Sequence, residues 1–329
     1  MNNPLVSIII PTYNRAHLIG ETLNSVLAQT YQNWECIVVD DRSTDGTDEL
    51  LASYCEKDAR FQYHHRPNDR PKGANACRNY GFEISCGSYI YFLDSDDTVD
   101  QNIFEKVIAI YNTQSGIDFI FFNYLIYDGE ISNIIHRQHN FSQNPFLDYF
   151  AGKINLATSA ILWKRETISE TRFNEHLKKS QELNFTFRLF TKFKDKPLIG
   201  FYLNENGYFL RKHDNSIVSN FHKLKPDYLL SEIVVRNQIL KYFNKPENKN
   251  IYLYNRHVIE KSLFSYLLHS NLIDFVKILI KLNGPKKSLS IIKVKLIIYK
   301  FIYILSNRNY RFNKTIKSLY VEEFNFDYN

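Results

Sequence analysis

Glycine is scarce in this sequence. Its 11 glycines in 329 residues include no G-x-G-x-x-G and no G-x-x-x-x-G-K-[ST] spacing. Any bound phosphate must therefore be held without the glycine-rich loops of dinucleotide-binding and P-loop proteins. Proline is scarce too, at 9 residues, and the pair of deficits argues against long disordered linkers. The four cysteines (Cys36, Cys55, Cys77 and Cys86) form no C-x-x-C pair, and no histidine stands at a zinc-like spacing from them. Small buried thiols in a reducing compartment are expected instead of a zinc module. Met1-Asn2-Asn3-Pro4 is not followed by the apolar run of a secretory signal, so none is expected. No window reaches eighteen uninterrupted apolar residues, and no membrane-spanning helix is expected.

What is present is an ordinary globular composition, 44% hydrophobic and 23% charged, with an unusual aromatic load of 25 Phe and 23 Tyr. The length suffices for one large or two medium cores. The formal net charge of +6 is unevenly spread: acidic clusters gather in the first half and basic residues in the last fifth.

The first hundred residues alternate between two periodicities. Residues 5–10, Trp34 to Val39, 61–64 and 89–93 read as short buried strands. Leu18, Ile19, Thr22, Leu23, Val26 and Leu27 recur at helical spacing; a short helix runs to Tyr54, and residues 73–86 read as a third. This alternation predicts a mixed, mainly parallel sheet flanked by helices. Beyond residue 100 the pattern predicts a helix over Ile103–Tyr111, strands at 119–122 and 157–163, a helix over 181–194, and helices alone from about 226.

In a parallel sheet the strand ends share one edge, where open α/β sheets bind ligands. Here that edge collects Pro11-Thr12-Tyr13, Asp40-Asp41 and Asp94-Ser95-Asp96-Asp97. Three carboxylates within four residues repel one another unless a cation lies among them, and oxygen-only ligands suit Mg²⁺ or Mn²⁺. Taken alone, the tetrapeptide is equally compatible with a solvated acidic turn. An aromatic ring to stack on a base, a carboxylate to accept from it, and an acidic pair to hold a metal together suit a nucleoside diphosphate.

Four motifs in this order and spacing resemble the family 2 glycosyltransferases of the GT-A fold: Pro11-Thr12-Tyr13-Asn14-Arg15, Val39-Asp40-Asp41-Arg42-Ser43-Thr44-Asp45-Gly46-Thr47, Ala76-Cys77-Arg78-Asn79-Tyr80-Gly81 and Leu93-Asp94-Ser95-Asp96-Asp97. The resemblance is clear over residues 4–115 and thinner to 217. It implies that Tyr13 packs on uracil, with Pro11 and Thr12 lining the pocket. Asp41 would hydrogen-bond the base, with Asp40 beside it or capping the Ser43–Thr47 bend. Asp96 would ligate Mn²⁺ or Mg²⁺, and Asp94 would face the ribose or a metal-bound water. Arg78 would hold the nucleotide or the Asp94 loop, or form a structural ion pair. His213, in Arg211-Lys212-His213-Asp214, would complete the metal site or meet the diphosphate, or stand as an ordinary surface histidine. Where the family carries a Glu-Asp pair opening a helix, this chain has Gln181-Glu182. Glu182 is the expected base, with Glu175 as the fallback; the other reading of Glu182 is a carboxylate favoured by the helix dipole.

The resemblance implies an inverting, metal-dependent transferase using a nucleotide sugar, a UDP-sugar in the family's terms, on a glycan or lipid-linked acceptor of bacterial surface polysaccharide. The competing expectations are a sugar nucleotidyltransferase, or a non-catalytic protein retaining the fold. The chain divides on pattern into a GT-A domain, residues 1–220, and a helical extension, 221–329. Residues 275–321 carry eleven Lys and Arg and no acid on an apolar background. That composition suits peripheral contact with an anionic membrane, at the inner face of the cytoplasmic membrane, or a helical cap whose lysines are solvated. No nucleic-acid fold signature accompanies the charge.

Overall fold

A computed structural model describes residues 3–212 and 226–269. The first half alternates strand and helix: β1 (Val6–Thr12), α1 (Ile19–Leu27), β2 (Trp34–Asp40), α2 (Thr47–Lys57), β3 (Phe61–His65), α3 (Ala74–Ile84) and β4 (Tyr89–Phe92). Then come β5 (Thr98–Val99), α4 (Ile103–Thr113), β6 (Phe119–Asp128), β7 (Ile134–Gln138), α5 (Pro145–Phe150), β8 (Ile161–Lys164), α6 (Arg165–Ile168), α7 (Gln181–Lys192) and β9 (Gly200–Lys212). Two long helices follow, α8 (Pro226–Tyr242) and α9 (Lys249–His269).

The nine strands of the described residues form one sheet in the order β3-β2-β1-β4-β8-β6-β9-β5, with β7 hairpinned onto β6. The first four pair in parallel, as expected for strands buried along their length and linked by helices. β8 runs antiparallel between β4 and β6, so β6 regains the direction of β4. The register sets the site. Thr12 lies opposite Asp40, and Ile9 opposite Phe92. The residues after β1, β2 and β4 therefore emerge side by side.

Side chains of adjacent strand residues point to opposite faces, and β1 shows it. Ile8 and Ile10 join a core with Leu23, Tyr91, Phe104 and Tyr208. Ile9 joins the other with Phe92, Phe119, Trp163, Phe185 and Leu189. The second core also takes Val235, Ile239 and Phe243 from α8 and its end, and Ile251 from α9. Residues 226–269 of the expected extension thus pack into the same interior as the sheet. Phe92 meets Phe173 edge-on at 5.1 Å, and Phe173 stacks on Phe185 at 4.3 Å. Each such buried ring contributes about 1.5–3 kcal/mol, and the row fixes α7 against the end of β4. Phe185→Ala would remove its α7 end at a cost of about 3–5 kcal/mol.

β9 is the element the sequence does not announce. Asn204-Glu205-Asn206-Gly207 breaks its alternation, and the register against β6 shifts there. Its far end crosses antiparallel to β5, with Thr98 opposite Phe209 and Val99 opposite Tyr208. This brings Tyr208 and Arg211 onto the Asp94–Asp97 turn. Among the described residues, no helix is long and apolar enough to cross a membrane. The basic stretch 275–321 and His213 lie outside the described residues.

Candidate active site

The crevice begins where β1 and β2 end. The Asp41 N–H donates to the Thr12 carbonyl at 2.8 Å, tying the two strand ends together. Beyond them the chain takes left-handed backbone at Asn14 (φ 51°) and Arg42 (φ 67°). The third non-glycine residue of this kind among the described residues is Ser180 (φ 58°), directly before Gln181-Glu182. Such backbone costs about 1–2 kcal/mol for an L-residue and collects where a site dictates geometry. Asn14 is well suited to it, because its side chain bonds locally: Oδ1 accepts the Thr44 N–H at 2.8 Å. Its own N–H donates to Ser43 Oγ at 2.8 Å.

The two carboxylates after β2 have different surroundings. Asp40 is fully buried and accepts from the Ser43 N–H at 2.7 Å and the Ser43 hydroxyl at 2.5 Å. Both its oxygens hold the turn, which is the capping alternative read from the sequence. Asp41 is bound by Arg66 Nε at 2.5 Å. Tyr13 is 40% exposed, and the Lys72 ammonium lies 3.7 Å from its ring centroid, a cation–π contact.

The Asp94-Ser95-Asp96-Asp97 turn also divides its work. Asp97 is buried; it accepts from the Tyr208 hydroxyl and from the Arg211 N–H at 2.7 Å. Burial, and then the charges of Asp96 and Asp94, push its carboxyl well above the usual range, against these two bonds. It is an anchor for β9. Asp94 and Asp96 reach solvent, with side-chain exposures of 35% and 23%. Asp96 pairs with Arg15 Nε at 3.4 Å. Arg211 spans the turn from the other side, donating through Nε to the Asp96 carbonyl at 3.3 Å and through its guanidinium to Glu21.

Arg78 joins this turn to the opening of α7. A Cβ at Gly81 would stand 2.5 Å from Ile9 Cγ2, so the missing side chain lets α3 lie close on β1 and carry Arg78 inward. Its Nη2 donates to Asp94 Oδ1 at 2.5 Å, and Nη1 to Gln181 Oε1 at 3.2 Å. Burial alone would lower the guanidinium's pKa, but Asp94 and Glu182 together hold it above an arginine's ordinary value. Glu182 is half-buried in the first turn of α7. It also raises the Tyr149 hydroxyl, after burial as the larger cause. Glu175 is committed elsewhere, accepting from Asn79 Nδ2 at 2.9 Å and Arg70 Nη1 at 3.4 Å.

Asp94 and Asp96 are oxygen donors at a solvent-reaching turn stabilised by Arg78 and Arg15, a donor set that suits Mn²⁺ or Mg²⁺. Both Asp97 oxygens already accept from β9. Asp40, Asp48 and His65 also bring one ligand atom each within 4.8 Å of one another at the outer edge of β2 and β3. That cluster draws on Asp40, already engaged with Ser43. Sequence reading missed Arg66 and Lys72, and named Arg15 and Gln181 within motifs without giving them a role. Arg66 and Lys72 follow the third parallel strand, and every loop after such a strand borders the crevice.

Comparison with known proteins identifies the family. Residues 7–217 match the family described as Glycosyl transferase family 2. A stretch of 97 residues is 46% identical to an uncharacterized glycosyltransferase of Rickettsia conorii, covering 30% of this chain and 15% of that protein. Over 126 residues the chain is 40% identical to an Escherichia coli protein, the UDP-Glc:alpha-D-GlcNAc-diphosphoundecaprenol beta-1,3-glucosyltransferase WfgD, covering 38% of this chain and 48% of that one. Both matches leave most of those proteins' length uncovered. In three dimensions the chain resembles Staphylococcus aureus TarS 1–349, solved with UDP-GlcNAc, at a TM-score of 0.62 and 17% identity over 93% of each chain. That likeness speaks to the fold.

Proposed function

Because the chain belongs to glycosyltransferase family 2, we propose that it moves one sugar, with inversion, from a UDP-sugar to a hydroxyl of a glycan or lipid-linked acceptor in bacterial surface-polysaccharide synthesis. The observation that carries this reading is the bridge made by Arg78. It ties the Asp94 end of the acidic turn to the helix opening that presents Glu182. A donor-side carboxylate pair and an acceptor-side base then share one crevice. The name of the Escherichia coli relative, with its UDP-Glc donor and diphosphoundecaprenol acceptor, supports the choice of donor and acceptor classes.

In this reading Tyr13, with Pro11 and Thr12, gives the base an apolar wall, and Asp41 accepts its N–H while Arg66 holds the carboxylate in place. Asp40 acts through the turn it caps. Asp94 and Asp96 would hold Mn²⁺ or Mg²⁺, with His213 available from outside the described residues. When bound, the cation would offset charge on the departing diphosphate. Glu182 takes the proton of the acceptor hydroxyl as its oxygen bonds to the anomeric carbon. The bond from that carbon to the diphosphate breaks on the opposite face, and its electron pair leaves with UDP. Membrane contact through residues 275–321 belongs to the same proposal, since a lipid-linked acceptor lies at an anionic surface.

The test is calorimetric. UDP should bind the full chain more tightly with Mn²⁺ than without, and Asp96→Asn should abolish that difference while the melting temperature holds. An unchanged Mn²⁺ dependence in the variant would remove Asp96 from the site.

A further inference from the structure

The residues that open α7 are held by helices outside the family match, which ends at residue 217. The Lys178 N–H donates to Ser231 Oγ on α8 at 3.0 Å. Lys179 Nζ pairs with Glu232 Oε2, also on α8, at 2.9 Å. One turn into α7, Asn184 Nδ2 donates to Gln238 Oε1 at 3.3 Å. The left-handed Ser180 lies between these attachments, followed by Gln181 and Glu182.

The α8 side of this clamp is itself anchored. Glu232 is buried. Its Oε2 accepts from Ser262 Oγ on α9 at 2.8 Å, and its Oε1 from Arg236 Nε at 3.5 Å. Arg236 Nη1 donates to Asn255 Oδ1 on α9 at 2.8 Å. Asn255 Nδ2 reaches the Phe150 carbonyl at the end of α5, at 2.8 Å. A buried polar chain thus runs from the α7 turn through two helices and back to the body of the sheet domain. Removing one member of such a network leaves the others desolvated without a partner, which makes it stiff.

We propose that α8 and α9 complete the catalytic apparatus, with Glu232 as a positioning residue that acts through Lys179 on Glu182. The proposal rests on Glu182 being the base. Ser180 occupies a backbone region that L-residues avoid. Released from Lys178 and Lys179, it relaxes toward ordinary backbone and swings the first turn of α7, and the Glu182 carboxylate with it. Donor binding depends on Tyr13, Asp41 and the Asp94–Asp96 turn, which the clamp meets only at second hand, through Gln181 on Arg78 and through the Lys178 ammonium on the Lys72 carbonyl. The clamp therefore acts on turnover more than on donor affinity.

The experiment uses the full chain and Lys179→Met, which keeps the stem and removes the charge while Glu232 retains Arg236 and Ser262. Turnover is read as UDP release with Mn²⁺ from whichever of UDP-glucose, UDP-galactose and UDP-GlcNAc the wild type uses fastest. Amide hydrogen exchange is followed over residues 178–186. Lys179→Met should lower kcat by up to about 100-fold, the scale of a misplaced catalytic group, with a much smaller change in donor KM and faster exchange across 178–186. Ser231→Ala should act in the same direction from the neighbouring attachment. Adding Ser180→Gly to Lys179→Met should recover part of the lost kcat, because glycine takes left-handed backbone without a tether; a purely stabilising contact would show no such rescue. Unchanged kcat and exchange in a folded Lys179→Met, beside an inactive Glu182→Gln, would overturn the clamp. An active Glu182→Gln beside faster exchange in Lys179→Met would instead overturn the base.

Discussion

Replacing Arg78 by methionine separates a structural ion pair from a functional bridge. The side chain is 3% exposed. Its guanidinium meets Asp94 at 2.5 Å, Gln181 at 3.2 Å and Asn75 Oδ1 at 3.3 Å. Methionine fills much the same channel without charge. Breaking a buried pair ordinarily costs about 3–5 kcal/mol, because the surviving charge is stranded. Here the survivor is Asp94, whose side chain is 35% exposed, so water can solvate it. The variant also no longer buries a guanidinium whose Nε lacks a protein partner. What remains is the loss of one charge-assisted hydrogen bond and two weaker contacts, about 2 kcal/mol net. At about 2–4 °C per kcal/mol for a domain of this class, the melting temperature should fall by about 4–8 °C. Function should suffer as well. Without the bridge, Asp94 and the α7 opening are free to part, and Mn²⁺-dependent UDP affinity should drop at least about tenfold, or 1.4 kcal/mol. Urea denaturation measures the first quantity and titration calorimetry the second. A folded Arg78→Met that binds UDP as tightly as wild type would refute the bridge. Loss of the fold at ambient temperature would make Arg78 a structural residue first. Arg78→Lys should fall between, since an ammonium cannot hold two partners in a fixed fork.

Glu182→Gln should lower kcat by about 10²–10⁴-fold and leave UDP affinity unchanged, as read by single-turnover kinetics; near-normal turnover would move the base elsewhere. Cys86 is exposed, whereas burial pushes the Cys77 thiol up to about 12 and the Cys36 thiol well above its usual value. A pulse of iodoacetamide at pH 8 on the native protein should therefore alkylate Cys86 and spare Cys77 and Cys36, since only thiolate reacts; labelling of Cys77 at a comparable rate, seen by mass spectrometry, would contradict the packing of α3 on the sheet. The full chain should sediment with anionic liposomes at low salt and release as salt rises, each basic residue of 275–321 near the surface adding about 1 kcal/mol; indifference to such liposomes would favour a soluble acceptor.

The sequence by itself determined the α/β order, the first four parallel strands and the edge at which the site lies. Those features follow from local periodicity: buried runs of four to seven residues, helical stripes such as Ile19, Leu23 and Val26, and polar residues where strands end. It also determined the candidate carboxylates, because Asp94, Asp96 and Glu182 stand in short motifs. Only the tertiary structure decided how the acids divide their work. Asp40 and Asp41 are neighbours in sequence, yet one is consumed by Ser43 and the other held by Arg66, 25 residues on. Asp97 is an anchor because β9 arrives from more than a hundred residues away with Tyr208 and Arg211. No local pattern encodes that pairing, and the polar break at 204–207 hides the strand that makes it. The clamp of α8 on α7 is of the same kind. Ser231 and Glu232 read as ordinary polar positions of a helix, and acquire a role only because the packing of Val235, Ile239 and Phe243 into the second core brings them against Lys178 and Lys179.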